Sequence, residues 1–204
     1  MGLDMYLNRF HRYKNVSANQ ITIIESYFDW MTAKEEGSEY ANCDFNQWCG
    51  HDESELPSEE IMNCFKQFYK KHCIGDYTYY IISEEVGYWR KCNAIHNWFV
   101  NHVQDGIDDC KYHHEVTKEI LEKLYDDCLT VLEKSKLVSR KHKNVIKDKT
   151  VAKSILPTQD GFFFGSTDYD EWYIDGLKHT VDVIRDIIDT TNFETQMIYY
   201  HSSW

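Results

Sequence analysis

Proline is nearly missing from this chain, at two of 204 residues, which excludes Pro-rich disorder. No apolar run reaches the length of a membrane span or a signal peptide, so neither is expected. The sequence also lacks a P-loop, a GxSxG elbow, a GxGxxG turn and an HExxH helix, which removes the most recognisable nucleotidase, hydrolase and zinc-protease signatures. There is no internal repeat. Positive charge is in short supply: the net charge is -12, too acidic for general nucleic-acid binding, which needs lysine and arginine against phosphate. Such a balance fits docking on a basic partner surface instead.

The charge that is present is unevenly placed. Lys134 to Lys153 holds eight Lys/Arg against the single acid Asp148, leaving the rest of the chain near -19. That segment reads as either a solvated loop or an anion contact. Seven cysteines, an odd number, point to free thiols and a reducing cytoplasm. Gly2 invites N-myristoylation, but Tyr6 stands where that signal wants Ser or Thr. Aromatic residues make up 15% of the chain, enough for an aromatic pocket or a dimer interface, so a homo-oligomer is open.

Strands are expected at Leu3–Phe10, where Leu3, Met5 and Leu7 alternate with polar residues, and at Tyr77–Ser83, Gly161–Gly165 and Thr195–Tyr200. Two helices follow the 3.6 period: one through Ile120, Leu121, Leu124, Cys128, Val131 and Leu132, the other through Tyr173, Leu177, Val181, Ile184 and Ile187. Gly176 weakens the second by about 1 kcal/mol relative to alanine. Ile21–Met31 and Ile61–Lys71 are weaker helical stretches. Elements do not alternate regularly, so the expected class is α+β: a single compact domain, 1–204, with a small, mostly antiparallel sheet packed with helices and an acidic inserted lobe over 34–76.

Two ring-rich segments carry the functional signal. In "EEVGYWRKCNAIHNWFV" a helix starting near Trp89 puts Trp89, Cys92, Ile95 and Phe99 on one stripe with His96 inside it and Asn93 at its margin. Arg90 falls on a separate polar ridge, and Trp98 points away from the core. His96 is then either a satisfied core histidine or a general acid/base facing a cleft. In "PTQDGFFFGSTDYDEWY" a strand, a turn and a capped helix follow one another, with Phe164, Ser166, Asp168, Asp170, Glu171 and Trp172 as the site candidates. Rings for a base, carboxylates for ribose hydroxyls and cations for phosphate together suit a nucleotide-like small molecule.

Metal sites are weaker candidates. Cys43, Cys49 and His51, with Cys64 and Cys73 downstream, offer a zinc set, although five residues separate the first pair. Asp105, Asp108, Asp109, His113 and His114 offer a divalent-cation set without calcium-loop spacing.

"MGLDMYL", "VGYWRKCNAIHNWFV", "VQDGIDDC", "GFFFGSTDYDEWY" and the closing "SSW" together resemble an uncharacterised family of bacteriophage and prophage proteins. The resemblance implies a small accessory protein in the bacterial host cytoplasm, with an anti-defence role. It would bind, or bind and cleave, a nucleotide-derived signal; the alternative is an acidic inhibitor that blocks a host defence enzyme by surface contact, and a third reading is a nucleotide-metabolism or structural helper with no defence role.

Overall fold

The computed structural model describes residues 2–12, 16–66, 70–74, 77–81, 83–110, 113–140 and 143–204. The fold is α+β and divides into two compact units, Met1–Arg9 with Glu85–Trp204, and Phe10–Glu84. In chain order the first half holds β1 (Asp4–His11), α1 (Ala18–Glu35), α2 (Phe45–Cys49), α3 (Glu59–Lys66), β2 (Lys70–Ile74), β3 (Tyr77–Ile81) and β4 (Glu84–Arg90). The second half holds α4 (Asn93–Val103), β5 (His114–Val116), α5 (Lys118–Lys134), β6 (Leu137–Arg140), β7 (Lys143–Ile146), α6 (Thr150–Ile155), α7 (Glu171–Thr190) and β8 (Gln196–Ser203).

The larger unit is built on a sheet in the order β4-β1-β8-β5, with β5 antiparallel to β8. The alternation expected in β1 is present: Leu3, Met5 and Leu7 are fully buried between half-exposed polar neighbours. The two periodic helices form as read. Leu121, Leu124, Cys128 and Val131 of α5 share one core with Leu177, Val181, Ile184 and Ile187 of α7. That core continues into Ile95 and Phe99 of α4 and Ile198 and Tyr200 of β8, where the Phe99 and Tyr200 rings stack at 4.1 Å.

The smaller unit encloses the segment expected as an inserted lobe and starts earlier, taking in α1. Ser17 and Gln20 form a reciprocal capping box that fixes the start of α1. Trp30 and Phe45 pack at 5.6 Å around Ala41, and the Trp30 indole donates to the Cys43 carbonyl at 3.1 Å. β2 and β3 form a separate antiparallel hairpin.

Four expectations change. The helix expected over Ile61–Lys71 ends at Lys66, and Lys70 opens β2, paired to Ile81. The expected strand Tyr77–Ser83 is shorter, Tyr77–Ile81, and residue 82 lies outside the described residues. Gly161–Gly165 is a turn rather than a strand: the Phe164 amide bonds back to the Gly161 carbonyl, and the ring covers Gly161 so closely that a Cβ there would lie 2.6 Å from it. Finally, Trp89 belongs to β4, and the helix begins only at Asn93. Lys91 breaks the run by taking φ 55°, with its amide bonded to the Leu3 carbonyl at the end of the β4–β1 pairing.

His113, beside β5, is buried with its ring 5.0 Å from that of His201 in β8. Burial, then the neighbouring His201 and His114, pushes its pKa down to about 3 from 6.5. Below pH 6.5 the unfolded chain therefore takes up a proton that the fold refuses. Stability should be complete above that pH and fall toward pH 3, by at most about 1.4 kcal/mol per pH unit for this residue. Urea melts at stepped pH should show a shallower acid slope for His113→Phe; identical slopes would remove His113 as the cause.

Candidate functional site

A cavity of about 610 Å³ opens in the larger unit, and the two ring-rich segments form its walls. One wall is the end of β4 and the start of α4: Arg90, Lys91, Cys92, Asn93 and Ala94. The other is Gly165, Ser166 and Asp168 of the loop before α7, with Asp170, Trp172, Tyr173, Asp175 and His179 from the cap and first turns of that helix.

Asn93 joins the walls. Its amide nitrogen donates to the carbonyls of Phe164 (3.0 Å) and Ser166 (2.8 Å), and its oxygen accepts the Gln159 amide at 3.2 Å. One turn on, Asn97 donates to the Pro157 carbonyl at 3.2 Å. The loop is further stitched by the Thr158 amide on the Tyr169 hydroxyl and by the Tyr173 hydroxyl on the Leu156 carbonyl. An irregular segment thus becomes a fixed surface.

Several charges around the cavity are already neutralised. Arg90 grips both oxygens of Asp4 at 2.8 and 2.9 Å, while the Tyr88 hydroxyl donates to the same carboxylate at 2.6 Å. Asp170 caps α7 by accepting the amides of Trp172 and Tyr173. Asp175 pairs with Lys178 at 3.1 Å. Among the described residues Lys91 and Asp168 are in no ion pair, so they face the cavity as a free cation and a free carboxylate. Cys92 gives α4 no side-chain cap: the Ile95 and His96 amides bond back to the Cys92 carbonyl, which leaves the Asn93 and Ala94 amides as the uncapped N–H groups beside Lys91.

Nucleophilic chemistry is poorly served here. Burial pushes the Cys92 thiol up to about 12, so it stays protonated at neutral pH despite its place at a helix start. Burial likewise raises the Tyr173 phenol. His179 donates from Nε2 to the Tyr88 carbonyl at 2.9 Å, which leaves Nδ1 as an acceptor in the neutral ring.

Six of the eleven expected site residues line this cavity: Arg90, Asn93, Ser166, Asp168, Asp170 and Trp172. The other five do not. His96, the acid/base candidate, is fully buried: it accepts the Tyr200 hydroxyl on Nδ1 at 2.7 Å and donates from Nε2 to Asp108 at 3.0 Å. Asp108 also accepts the Trp204 indole at 3.1 Å, which makes this network a structural knot. Trp98, expected to point outward, is 2% exposed because α5 covers it, and its indole donates to Asp127 at 2.9 Å. Trp89 is buried with its indole on the Thr180 hydroxyl at 2.9 Å. Phe164 packs edge-on against His96, and Glu171 accepts from Asn144. Lys91 was expected among the cations of the pocket, whereas Ala94, Asp175 and His179 were not among the expected residues. The left-handed turn at Lys91 and the place of an exposed histidine on α7 leave no trace in residue spacing.

The metal candidates are dispersed. The thiols of Cys43 and Cys49 bond the Tyr40 and Phe45 carbonyls, and His51 pairs with Glu55 at 3.6 Å. The side chain of Cys73 lies outside the described residues. Asp109 bonds His114 at 3.1 Å, while Asp105 sits in a turn at φ 52°. Among the described residues no three ligand-type side chains converge.

Asn93→Ala would strand a buried carbonyl, a half-buried one and an amide, and should cost about 2–4 kcal/mol in urea melts; a loss below about 0.5 kcal/mol would contradict its bridging role. Gly176→Ala should destabilise by about 1–2 kcal/mol despite the better helix former. The added Cβ would lie 2.8 Å from the Cys92 sulfur, so the further change Cys92→Ala should restore stability. No protein-family model, curated protein or solved structure matches the chain.

Proposed function

We propose that this cavity sequesters a nucleotide-like small molecule. The observation that carries the reading is the meeting of an unpaired Lys91 and an uncapped helix start with an unpaired Asp168 and the ring of Trp172 around one space of about 610 Å³. That volume suits a compact organic ligand. Lys91 and the first amides of α4 suit its phosphate, Ser166 and Asp168 suit sugar hydroxyls, and the 77% exposed Trp172 offers a face for a base. Sequestration is preferred over cleavage because His96 is sealed in the core and the Cys92 thiol is protonated. In the phage-type setting that the sequence resemblance implies, removing a nucleotide-derived signal would be an anti-defence act.

A second reading, the acidic inhibitor of a host defence enzyme, is favoured by Phe162, 95% exposed on the same loop as the cavity wall, in a chain of net charge -12. Exposed rings of this kind anchor protein interfaces. Among the described residues no helix is long and apolar enough to cross a membrane.

Thermal melts with a panel of mononucleotides, cyclic nucleotides and ADP-ribose separate the two. A bound ligand at one hundred times its Kd should raise Tm by ~5–10 °C. Trp172→Ala should leave the unliganded melt unchanged and remove the shift, whereas Phe162→Ala should keep it. A flat response across the panel would overturn the small-molecule reading.

A further inference from the structure

The basic segment that stood out in the sequence folds as the β6–β7 ribbon. Its register pairs Leu137 with Ile146, Val138 with Val145 and Arg140 with Lys143, and the Lys147 amide extends the ladder by bonding the Lys136 carbonyl at 2.8 Å. Facing residues in an antiparallel pair point the same way, and the direction alternates along each strand. Lys136, Lys147, Arg140 and Lys143 therefore share one face, with Val138 and Val145 between them. The opposite face is the anchored one, carrying the buried Ile146 and the Asn144 amide bonded to Glu171.

Both ends of the outer face thus hold two cations directly across from each other, an arrangement that destabilises a ribbon unless a counter-charge spans the pair. Elsewhere several of the chain's cations are neutralised, among them Arg90 on Asp4, Lys118 on Glu122, Lys123 on Asp127 and Lys178 on Asp175. Among the described residues none of these four ribbon cations has such a partner, in a protein with a large surplus of carboxylates. All four are exposed.

We propose that this face docks on the phosphate backbone of a nucleic-acid duplex. The two cation pairs lie about 13 Å apart along the ribbon, and a two-stranded ribbon is narrow enough for a major groove. A membrane surface or a single strand would call for large apolar or aromatic groups, and the face offers only two half-buried valines. A protein partner would call for a desolvated aromatic centre, also missing from these residues. Regularly spaced, exposed cations without large apolar neighbours are what a phosphate backbone requires. Charge near -19 over the rest of the chain opposes the contact, so it is local and sensitive to salt, not a general grip on nucleic acid. The inference stands independently of the cavity reading.

The test is fluorescence anisotropy of the full chain with a short labelled DNA duplex across a salt series. Four phosphate contacts predict binding at low salt with a log K against log salt slope of about -3 to -4. Removing the cations together (Lys136→Ala, Arg140→Ala, Lys143→Ala, Lys147→Ala) should weaken binding at least about tenfold, with Tm unchanged or raised because the like-charge pairs are relieved. If that variant does not fold, Arg140→Ala with Lys143→Ala alone should reduce the slope by about two. No binding at low salt, a slope near zero, undiminished binding by either variant, or equal binding to anionic vesicles or poly-glutamate would overturn the proposal.

Discussion

One carboxamide holds the site together. Asn93 sits at the start of α4, 4% exposed, and faces a loop that has no regular backbone ladder to satisfy its own polar groups. Buried carbonyls and amides need partners wherever secondary structure does not supply them. Asparagine carries two donors and an acceptor on one short planar group, which matches the two carbonyls and one amide that the loop presents. Alanine would supply none of these contacts, and aspartate would lose both donors. Because α4 is packed into the core through Ile95 and Phe99, the loop inherits the rigidity of the helix.

The cavity beside this bridge exists because the backbone comes close where side chains are small. Gly165 takes φ +89°, where an added Cβ would lie 3.3 Å from the Lys91 carbonyl oxygen, and Gly176 leaves room for the Cys92 sulfur. What remains unpaired around the space is decided by local neutralisation. Asp4, Asp170 and Asp175 are each satisfied by a cation or by helix amides. Lys91 and Asp168 are left over, and that pair of opposite free charges gives the cavity its chemical character. An acidic protein thereby presents a site that is not simply repellent to anions, because its cationic side is a lysine at a helix start.

Much of the scaffold could be read from residue order alone. Strict alternation marked β1, and the 3.6 period marked α5 and α7, because in each case one face meets the core along its whole length. The convergence of the two ring-rich segments on one cavity was also legible, since both combine rings with polar and charged groups. Individual side chains were harder. Trp89 to Phe99 fits a helical stripe, yet a left-handed Lys91 splits it into strand and helix, and lysine gives no warning of that conformation. Trp98 changed sides, and His96 took its core reading instead of its cleft one, because their partners, Asp127 and Asp108 with Tyr200, are brought in by other elements. Three phenylalanines between glycines resemble a strand until Phe164 folds back on Gly161.

The bridging claim can be tested most directly at one amide. Gln159 lies in an irregular, half-exposed loop, where backbone exchange with solvent is ordinarily fast, but its N–H is held by the Asn93 side chain at 3.2 Å. Native-state hydrogen exchange of the full chain should find this amide protected to an extent that matches opening of α4, not of a free loop. Exchange of Gln159 at the rate of an unstructured peptide would mean that the wall is not fixed, and the cavity as described would not persist in solution.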